Sequence, residues 1–254
     1  MAALASMIPA TAATASECPR KDALGTSRVL AVDPATSPRV GLKSFPQTLP
    51  LGDREVVLTF DDGPWPGTTP KVLAALAQEC VRATFFTIGR AAAAQPEMVR
   101  KIAAQGHTVA HHSFSHPNLK FMKPEAAIAD IDKGIAAVET ALHGKAATTP
   151  STPFFRYPYF ETSQSTLDVL QKRGIAVFGA DLWASDWNPM TPAQQLKLLT
   201  ERLQSARKGI ILLHDPKVQT AAMLPAFLRY LRDNNYRVVH IVPARPKAGS
   251  EKTH

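Results

Sequence analysis

Short apolar runs bounded by turn residues alternate with longer amphipathic stretches along most of the chain. Runs of this kind are typical of buried strands in a sheet that is covered on both faces. They occupy residues 56–60, 83–88, 108–110, 154–155, 176–178, 210–213 and 236–241. The stretches between them have the length and spacing of helices, so the pattern predicts alternating strands and helices from residue 55 onward.

Proline and glycine mark the ends of the predicted helices. Thr69-Pro70 and Thr191-Pro192 each place a capping side chain before a proline that suits the first helical position. The other signals are Pro96 and Pro124 at helix starts and Gly106 and Gly174 at helix ends. Apolar residues recur at helical spacing between them, namely Val72, Leu73 and Leu76, then Ile128, Ile131, Ile135 and Val138, then Leu196, Leu199 and Leu203.

This alternation predicts an α/β fold with a parallel sheet covered by helices. The seven apolar runs favour a distorted (β/α) barrel, and an open doubly wound sheet is the alternative. In either architecture the functional residues gather at the carboxyl ends of the strands. We divide the chain into a segment at 1–17, an N-terminal arm at 18–54, one domain at 55–242 and a flexible tail at 243–254.

The chain is basic, with 29 Lys and Arg residues against 21 Asp and Glu residues and a net charge of +8. Such a balance is compatible with nucleic acid or an anionic surface as the partner. The charge is dispersed, however, and the chain has neither zinc-finger spacing nor an aromatic–basic RNA motif. We therefore interpret the charge as a solvated surface and expect no nucleic-acid partner. No run of about 18 apolar residues occurs, so we also expect no transmembrane segment.

Residues 1–17 are nearly all small or apolar, and the ATA before Ser16 resembles a small-residue cleavage site. We interpret the segment as the remnant of a signal peptide, although Pro9 interrupts it and no Lys or Arg precedes it. This predicts a periplasmic or secreted protein. A cytoplasmic protein is the alternative, if residues 1–15 are not a leader. Cys18 and Cys80 are the two cysteines and form either one disulfide or two separate thiols.

Two adjacent carboxylates, Asp61 and Asp62, follow the first predicted strand. Like charges at one strand end are unfavourable unless something neutralises them, and a metal ion does this well. A turn that uses the Asp side chains for hydrogen bonds is the alternative.

His112 and His116 follow the third predicted strand at i, i+4 spacing. We expect one helical turn to place both rings on one face, where they bind one metal ion. His107 and His111 have the same spacing, but a strand at 108–110 would separate their rings by about 13 Å, at about 3.3 Å per residue. We therefore expect that second pair not to share a metal. A surface or capping role is the alternative for a histidine pair.

Further chemically active residues follow the later strands. Arg156 comes after the run at 154–155, Asp186 and Trp187 follow the run at 176–178, and His214 ends the run at 210–213. The two tryptophans of this loop, Trp183 and Trp187, are candidates for a wall that stacks against sugar rings. A surface ion pair for the arginine and a core position for the tryptophans are the alternatives. A histidine that ends a buried strand is a candidate general acid or base.

The ordered motifs TFDDGP, HSFSHP, RYPY, ASDW and LLH resemble the five motifs of the polysaccharide deacetylases, the family four carbohydrate esterases with a NodB-like domain. The resemblance extends over residues 54–242. It implies that Asp61 is the general base and that Asp62, His112 and His116 are the metal ligands. It further implies that Arg156 holds Asp61, that the backbone N–H of Tyr159 contributes to the oxyanion hole, that Asp186 tunes His214 as the general acid, and that Leu212, Trp187 and Tyr159 shape the pocket for the acetyl methyl group.

The resemblance implies metal-dependent removal of N-acetyl groups from a glycan substrate, namely peptidoglycan, chitin or chitooligosaccharide. The cofactor is one divalent transition metal, zinc above all, with cobalt or nickel as alternatives. His111, Tyr157 and Phe160 stand where many members have Asn, Pro and Gly, and these positions bear on the substrate. The alternatives are a deacylase that acts on acetylxylan, a formamido sugar or a cyclic amide, and a non-catalytic glycan-binding module. The complete set of acid, base and metal ligands favours catalysis.

Overall fold

The computed structural model describes residue 18 and residues 20–244 of the 254-residue chain. The predicted signal-peptide remnant at 1–17 lies outside the described residues. So does the predicted tail, apart from residues 243 and 244.

Ten strands and seven α-helices lie within the described residues. The strands are β1 (Thr26–Val32), β2 (Arg39–Val40), β3 (Glu55–Asp61), β4 (Thr84–Thr87), β5 (Thr108–His111), β6 (Phe154–Phe155), β7 (Ala176–Phe178), β8 (Leu182–Trp183), β9 (Gly209–His214) and β10 (Arg237–Pro243). The helices are α1 (Thr69–Gln78), α2 (Gly89–Ala94), α3 (Pro96–Ala104), α4 (Pro124–His143), α5 (Gln164–Lys172), α6 (Pro192–Ala206) and α7 (Val218–Asp233). Two short 3-10 helices occupy Leu119–Phe121 and Pro158–Phe160.

Seven parallel strands form an arc in the order β8-β9-β3-β4-β5-β6-β7. The two ends of the arc, β7 and β8, follow each other in the chain but are not hydrogen-bonded to each other in the described residues. The arc is therefore a distorted barrel that hydrogen bonds leave open on one side. The predicted α/β class and the parallel sheet are confirmed.

Three strands were not predicted, because their sequences carry a weak signal. β2 and β8 have two residues each, and β1 alternates between half-buried and exposed positions along an edge. The arm is thus part of the sheet, since β1 pairs with β10 and β2 pairs with β7. The predicted strand at 236–241 exists as β10, but it lies outside the arc.

The predicted helix ends are largely confirmed. Thr191 and Gln194 form a capping box at the start of α6, and Gly106 and Gly174 adopt φ values of 81° and 67° just beyond two helices. Thr69 is the exception, because it is the first residue of α1 rather than its cap.

The side chains of β3 are buried along its whole length, as expected for a strand covered on both faces. Alternate residues of a strand face opposite sides of a sheet. Val57 packs with Phe86, Phe154 and Ile210 in one apolar cluster, and Phe60 belongs to another cluster with helix residues. Asp61, four residues after Val57, therefore shares its face at the carboxyl end of the strand. None of the described helices is both long enough and apolar enough to cross a membrane.

Candidate active site

A cleft of about 510 Å³ lies at the carboxyl ends of the arc strands. The predicted site residues that line it are Asp61, Asp62, His112, His116, Tyr159, Trp187, Leu212 and His214. The sequence therefore predicts the location of the cleft and most of its floor.

Asp62, His112 and His116 form a cluster whose ligand atoms all lie within 4.8 Å of one another. Oδ1 of Asp62 is 3.4 Å from Nε2 of His112 and 3.2 Å from Nε2 of His116. This carboxylate oxygen is buried and has no hydrogen-bond partner among the described residues. A buried acceptor without a partner is costly, and a metal ion would satisfy it. The cluster therefore fits a three-ligand metal site.

Hydrogen bonding and burial put these ligands in the state that binds metal. His112 donates from Nδ1 to the carbonyl oxygen of Arg156 at 2.7 Å, which leaves Nε2 free as a ligand. Burial and the neighbouring His112 lower the pKa of His116, which favours the neutral ring that binds metal. Burial acts to raise the pKa of Asp62, but the surrounding histidines outweigh it and hold that pKa well below its usual range.

The two ligand histidines converge through a loop, so the expected helical turn at 112–116 is wrong. Ser113 and His116 have φ values of 61° and 60°, and these left-handed residues bend the chain until the rings lie 4.9 Å apart. His107 and His111 do not join the cluster, as expected, because His111 ends β5 and its ring lies 3.6 Å from Glu139.

Helix α4 holds this loop, a role that was not predicted from the sequence. Oδ1 of Asp130 accepts hydrogen bonds from the backbone N–H groups of Phe114 and Ser115, at 2.9 and 3.3 Å. A Cβ at Gly134 would collide with the carbonyl carbon of Ser113, so the helix and the loop touch backbone to backbone. A glycine inside a helix costs about 1 kcal/mol relative to alanine and is therefore the signal that could have indicated this contact.

Arg156 is fully buried and every donor group of its guanidinium has a partner. Nη1 donates to Oδ1 of Asp61 at 2.7 Å and to the hydroxyl of Thr59 at 2.8 Å. Nε and Nη2 donate to the carbonyl oxygens of Phe178 and Gly179. The predicted Arg156–Asp61 contact is present, and it leaves Oδ2 of Asp61 facing the metal cluster, 3.9 Å from Nε2 of His112.

His214 is held by Asp186 on the opposite side of the cleft. Nδ1 of His214 donates to Oδ1 of Asp186 at 2.7 Å, and Oδ2 of the buried Asp186 accepts from the backbone N–H of His214 and from Thr220. Burial opposes the charged ring, but the hydrogen bond and the charge of Asp186 outweigh burial and raise the pKa of His214 to about 9. Nε2 stays free and lies 3.9 Å from Oδ2 of Asp62.

A second buried carboxylate, Asp215, fixes the loop that carries Asp62. It accepts from the hydroxyl of Thr69, which in turn accepts from the backbone N–H of Trp65 at 2.7 Å. A Cβ at Gly63 would collide with the carboxylate of Asp215, so only glycine fits there. Burial raises the pKa of Asp215 to about 7. No role for this residue was predicted from the LLH motif that precedes it.

Aromatic residues form the walls of the cleft. Tyr159 is 62% exposed with its ring 4.7 Å from that of His116, and Trp187 is 48% exposed with its ring 6.0 Å from that of His214. Leu212 is buried beneath them. Phe160, noted above as standing where glycine is common, has a φ of 60°, a backbone conformation that glycine favours.

Two lining residues were not predicted from the sequence, namely Lys43 and Lys217, whereas Trp183 was one of the two tryptophans considered as a wall. Lys43 belongs to the arm, and its Nζ lies 5.3 Å from the centre of the Trp183 ring. An arm residue reaches the cleft only through long-range packing, for which no local pattern gives a signal.

Comparison with known proteins identifies what this fold and cleft are similar to. A family model described as polysaccharide deacetylase matches residues 49–178. A chitooligosaccharide deacetylase from Bradyrhizobium sp. is 35% identical over 205 residues, which span 79% of this chain and 88% of that protein. A peptidoglycan-N-acetylglucosamine deacetylase from Bacillus cereus is 35% identical over 138 residues, which span 54% of this chain and 48% of that protein.

Solved structures show the same likeness. A peptidoglycan deacetylase of Bdellovibrio bacteriovorus superposes with a TM-score of 0.78 and 28% identity, and covers 91% of this chain and 63% of its own. A family 4 carbohydrate esterase from Streptomyces lividans, in complex with acetate, has a TM-score of 0.63 and 31% identity, and covers 75% of this chain and 92% of its own.

Proposed function

The chain belongs to the polysaccharide deacetylase family, and on that premise we propose that it is a metal-dependent hydrolase that removes N-acetyl groups from amino sugars of a glycan. One observation carries the proposal: the Asp62–His112–His116 cluster lies between a carboxylate held by Arg156 and a histidine held by Asp186. A hydrolase needs a base, an acid and an electrophile around one point, and a binding module needs none of them.

Asp61 is the general base in this proposal. Its Oδ1 is occupied by Arg156, so Oδ2 takes the proton of the attacking water. The arginine orients the carboxylate, because its Nη1 donates to Oδ1 of Asp61 at 2.7 Å and both side chains are buried.

His214 is the general acid. Asp186 fixes its tautomer through Nδ1, so the proton that leaves for the amine nitrogen is carried on Nε2. An amine is a poor leaving group unless it is protonated, and this transfer therefore makes bond cleavage feasible.

A divalent metal would be held by Asp62, His112 and His116 and would supply Lewis-acid polarisation of the acetyl oxygen and a lowered pKa for water. We propose zinc, because two imidazoles and one carboxylate suit it, with cobalt or nickel as alternatives. The backbone N–H of Tyr159 is the proposed second donor to the oxyanion. Leu212, Trp187 and Tyr159 line the proposed pocket for the acetyl methyl group.

Acetate release tests the proposal. Purified protein with zinc is incubated with chitooligosaccharides, peptidoglycan and acetylxylan, and we expect acetate from at least one of the two N-acetylated glycans. Chelation should abolish the release, and added zinc should restore it. Acetate from acetylxylan alone would overturn the amide specificity. Binding to glycan without any release of acetate would favour the non-catalytic module.

We also propose that the protein is exported to the periplasm or the exterior and acts on the cell wall there. The structure contains a disulfide between Cys18 and Cys80, and such bonds persist mainly in oxidising compartments. Fractionation of the native host with N-terminal sequencing tests this. A mature chain that begins near Ser16 in the exported fraction is expected, and an intact Met1 on a cytoplasmic protein would contradict export.

A further inference from the structure

A loop of the N-terminal arm, residues 41–48, closes the open side of the barrel and is fixed there. We call it the arm loop. The backbone N–H of Leu42 donates to Oδ1 of Asp181 at 2.8 Å, and the hydroxyl of Thr48 donates to Oδ2 at 2.7 Å. Asp181 lies in the connection from β7 to β8 and also accepts from the backbone N–H of Ile210 in β9. One carboxylate thus ties the arm loop to both sides of the gap.

Backbone contacts make the arm loop rigid. The N–H of Lys43 donates to the carbonyl oxygen of Ala180 at 2.8 Å. Gly41 has a φ of 108°, and a Cβ there would lie 2.5 Å from the carbonyl carbon of Gly179. The position of Lys43 at the cleft is therefore set by the fold.

Lys43 and Lys217 bring positive charge to the cleft that no described neighbour neutralises. The ion pairs that lysines form with carboxylates in the described residues involve Lys120 and Lys197, so neither cleft lysine has a carboxylate partner there. The acidic residues of the cleft have other partners, since Asp61 pairs with Arg156 and Oδ1 of Asp62 lies 3.4 Å from Nε2 of His112 and 3.2 Å from Nε2 of His116.

The charge lies beside an aromatic surface. Nζ of Lys43 and Cζ of Arg202 are each 5.3 Å from the centre of the Trp183 ring. Arg202 also donates to the carbonyl oxygen of Trp183 and to the hydroxyl of Ser185, both at 2.7 Å, which fixes the tryptophan. The cleft therefore presents the apolar ring of Trp183 beside the ammonium group of Lys43, which has no carboxylate partner in the described residues.

We infer that the arm loop completes the substrate cleft. Lys43 and Lys217 then make the cleft selective for a glycan that carries a carboxylate on the sugar next to the one that loses its acetyl group. The inference rests on the proposed function and names the substrate class of the same site. Positive charge in a cleft speeds the association of an anionic ligand and fixes the position in which it binds. Peptidoglycan strands without their peptide stems carry such carboxylates, whereas acetylated chitooligosaccharides are neutral.

The test compares substrates that differ in the carboxylate. Acetate release and binding are measured with peptide-free peptidoglycan strands, with the same strands after amidation of their carboxylates, and with fully N-acetylated chitotetraose. Strands that retain their peptide stems form a fourth arm, which separates a carboxylate on the sugar from one on the peptide. The variants are Lys43→Gln, Lys217→Gln and the double variant, with Lys172→Gln as the matched control at the end of α5.

The quantity to compare is the ratio of kcat/KM for the peptide-free strands to that for chitotetraose. We expect each single variant to lower this ratio by up to about fivefold, the scale of a partly exposed ion pair, while the control leaves it unchanged. The loss should appear in KM, should vanish with the amidated strands, and should shrink at high salt. Equal losses on both substrates, or no loss, would overturn the inference, and a preference only for stem-bearing strands would overturn its placement on the sugar.

Failure of the proposed function gives a different result. A wild-type protein that binds the strands but releases no acetate would refute the hydrolase alone. The lysine variants would then be compared by their dissociation constants. The ratio of the dissociation constant for N-acetylated chitotetraose to that for the peptide-free strands, with Lys172→Gln as the control, would decide the inference.

Discussion

Single side chains in the cleft are fixed by partners that leave one polar atom of each free. His112 donates from Nδ1 to the carbonyl oxygen of Arg156, and His214 donates from Nδ1 to Asp186, so Nε2 of each ring faces the cleft without a hydrogen-bond partner in the described residues. Oδ1 of Asp61 accepts a hydrogen bond from Arg156, which leaves Oδ2 available in the cleft. Each of these residues is thus restricted to one task by its hydrogen-bond partner.

The adjacent carboxylates Asp61 and Asp62 should therefore fail in different ways when their charges are removed. Asp61→Asn should lower the rate of acetate release by roughly 10²–10⁴-fold, because a general base is lost, while metal binding persists. Asp62→Asn should weaken metal binding, because one ligand is lost, and excess metal should partly restore activity. Metal titration alongside acetate release decides between them. Loss of metal from Asp61→Asn with retention in Asp62→Asn would reverse the two roles.

Among secondary-structure elements, the sequence predicted those that lie between two covering layers. The arc strands β3, β4, β5, β6, β7 and β9 were all predicted, because burial on both faces gives each of them a largely apolar run. The edge strand β1 was missed since its exposed positions interrupt that signal. The sequence therefore predicts the arc better than its edges.

In the candidate site, likewise, the residues with a local sequence signal were predicted and those placed by long-range contacts were missed. Asp61 and His214 were placed correctly by their position at strand ends. The loop at 112–116 was wrongly expected to be helical, because i, i+4 spacing is also compatible with a bend through two left-handed residues. Lys43 was missed because its place depends on contacts with residues more than 130 positions away in the chain.

The contact of α4 with the histidine loop makes Gly134 sensitive to an added methyl group. In a free helix Gly134→Ala would be stabilising by about 1 kcal/mol. Here the methyl would meet the backbone of Ser113, and we expect a net destabilisation of about 1–3 kcal/mol, typical of overpacking, with weaker metal binding through His116. Urea unfolding and metal titration measure both effects. Ser205→Ala, at an exposed position of α6, is the control and should change neither.

A Gly134→Ala variant with wild-type stability and wild-type metal affinity would contradict this account, because the loop would then tolerate displacement without moving the ligands.

At the level of the whole molecule, histidines buried far from the cleft link stability to pH. His107 accepts from the backbone N–H of Ala83 through Nδ1, and His240 contacts the hydroxyl of Thr108. Burial, and to a smaller extent the charge of nearby groups, lowers the pKa of each to about 4. Both rings are therefore neutral in the folded protein where they would be charged in the unfolded chain.

The sign of the resulting pH dependence follows from proton uptake. Well above a pH of about 6.5, the ordinary pKa of histidine, both rings are neutral in both states and stability is unaffected. As the pH falls from there to about 4, the unfolded chain binds protons that the folded protein does not. The free energy of unfolding should then decrease by up to about 1.4 kcal/mol per pH unit for each histidine. Urea unfolding of metal-free protein across this range measures the slope.

His107→Gln keeps an acceptor for Ala83 and removes one titrating group, so its slope should be shallower than that of the wild type. Ser205→Ala, at an exposed position, removes no titrating group, so it is the control and should keep the wild-type slope. Parallel slopes for wild type and His107→Gln would show that His107 does not remain neutral in the folded protein.

The pairing of β1 with β10 sets the order in which the molecule can be completed. Thr26 is opposite Val238 and Val32 is opposite Pro243, so the first strand of the described chain has its partner only when the last strand has been synthesised. β10 also supplies the residues that pair with the beginning of β3. A nascent chain that has not yet reached residue 237 keeps β1 unpaired, and contacts of such sequence separation form slowly. The edge that β1 forms is therefore the part of the sheet that waits for the carboxyl end of the chain, whereas the arc strands pair with one another without β10.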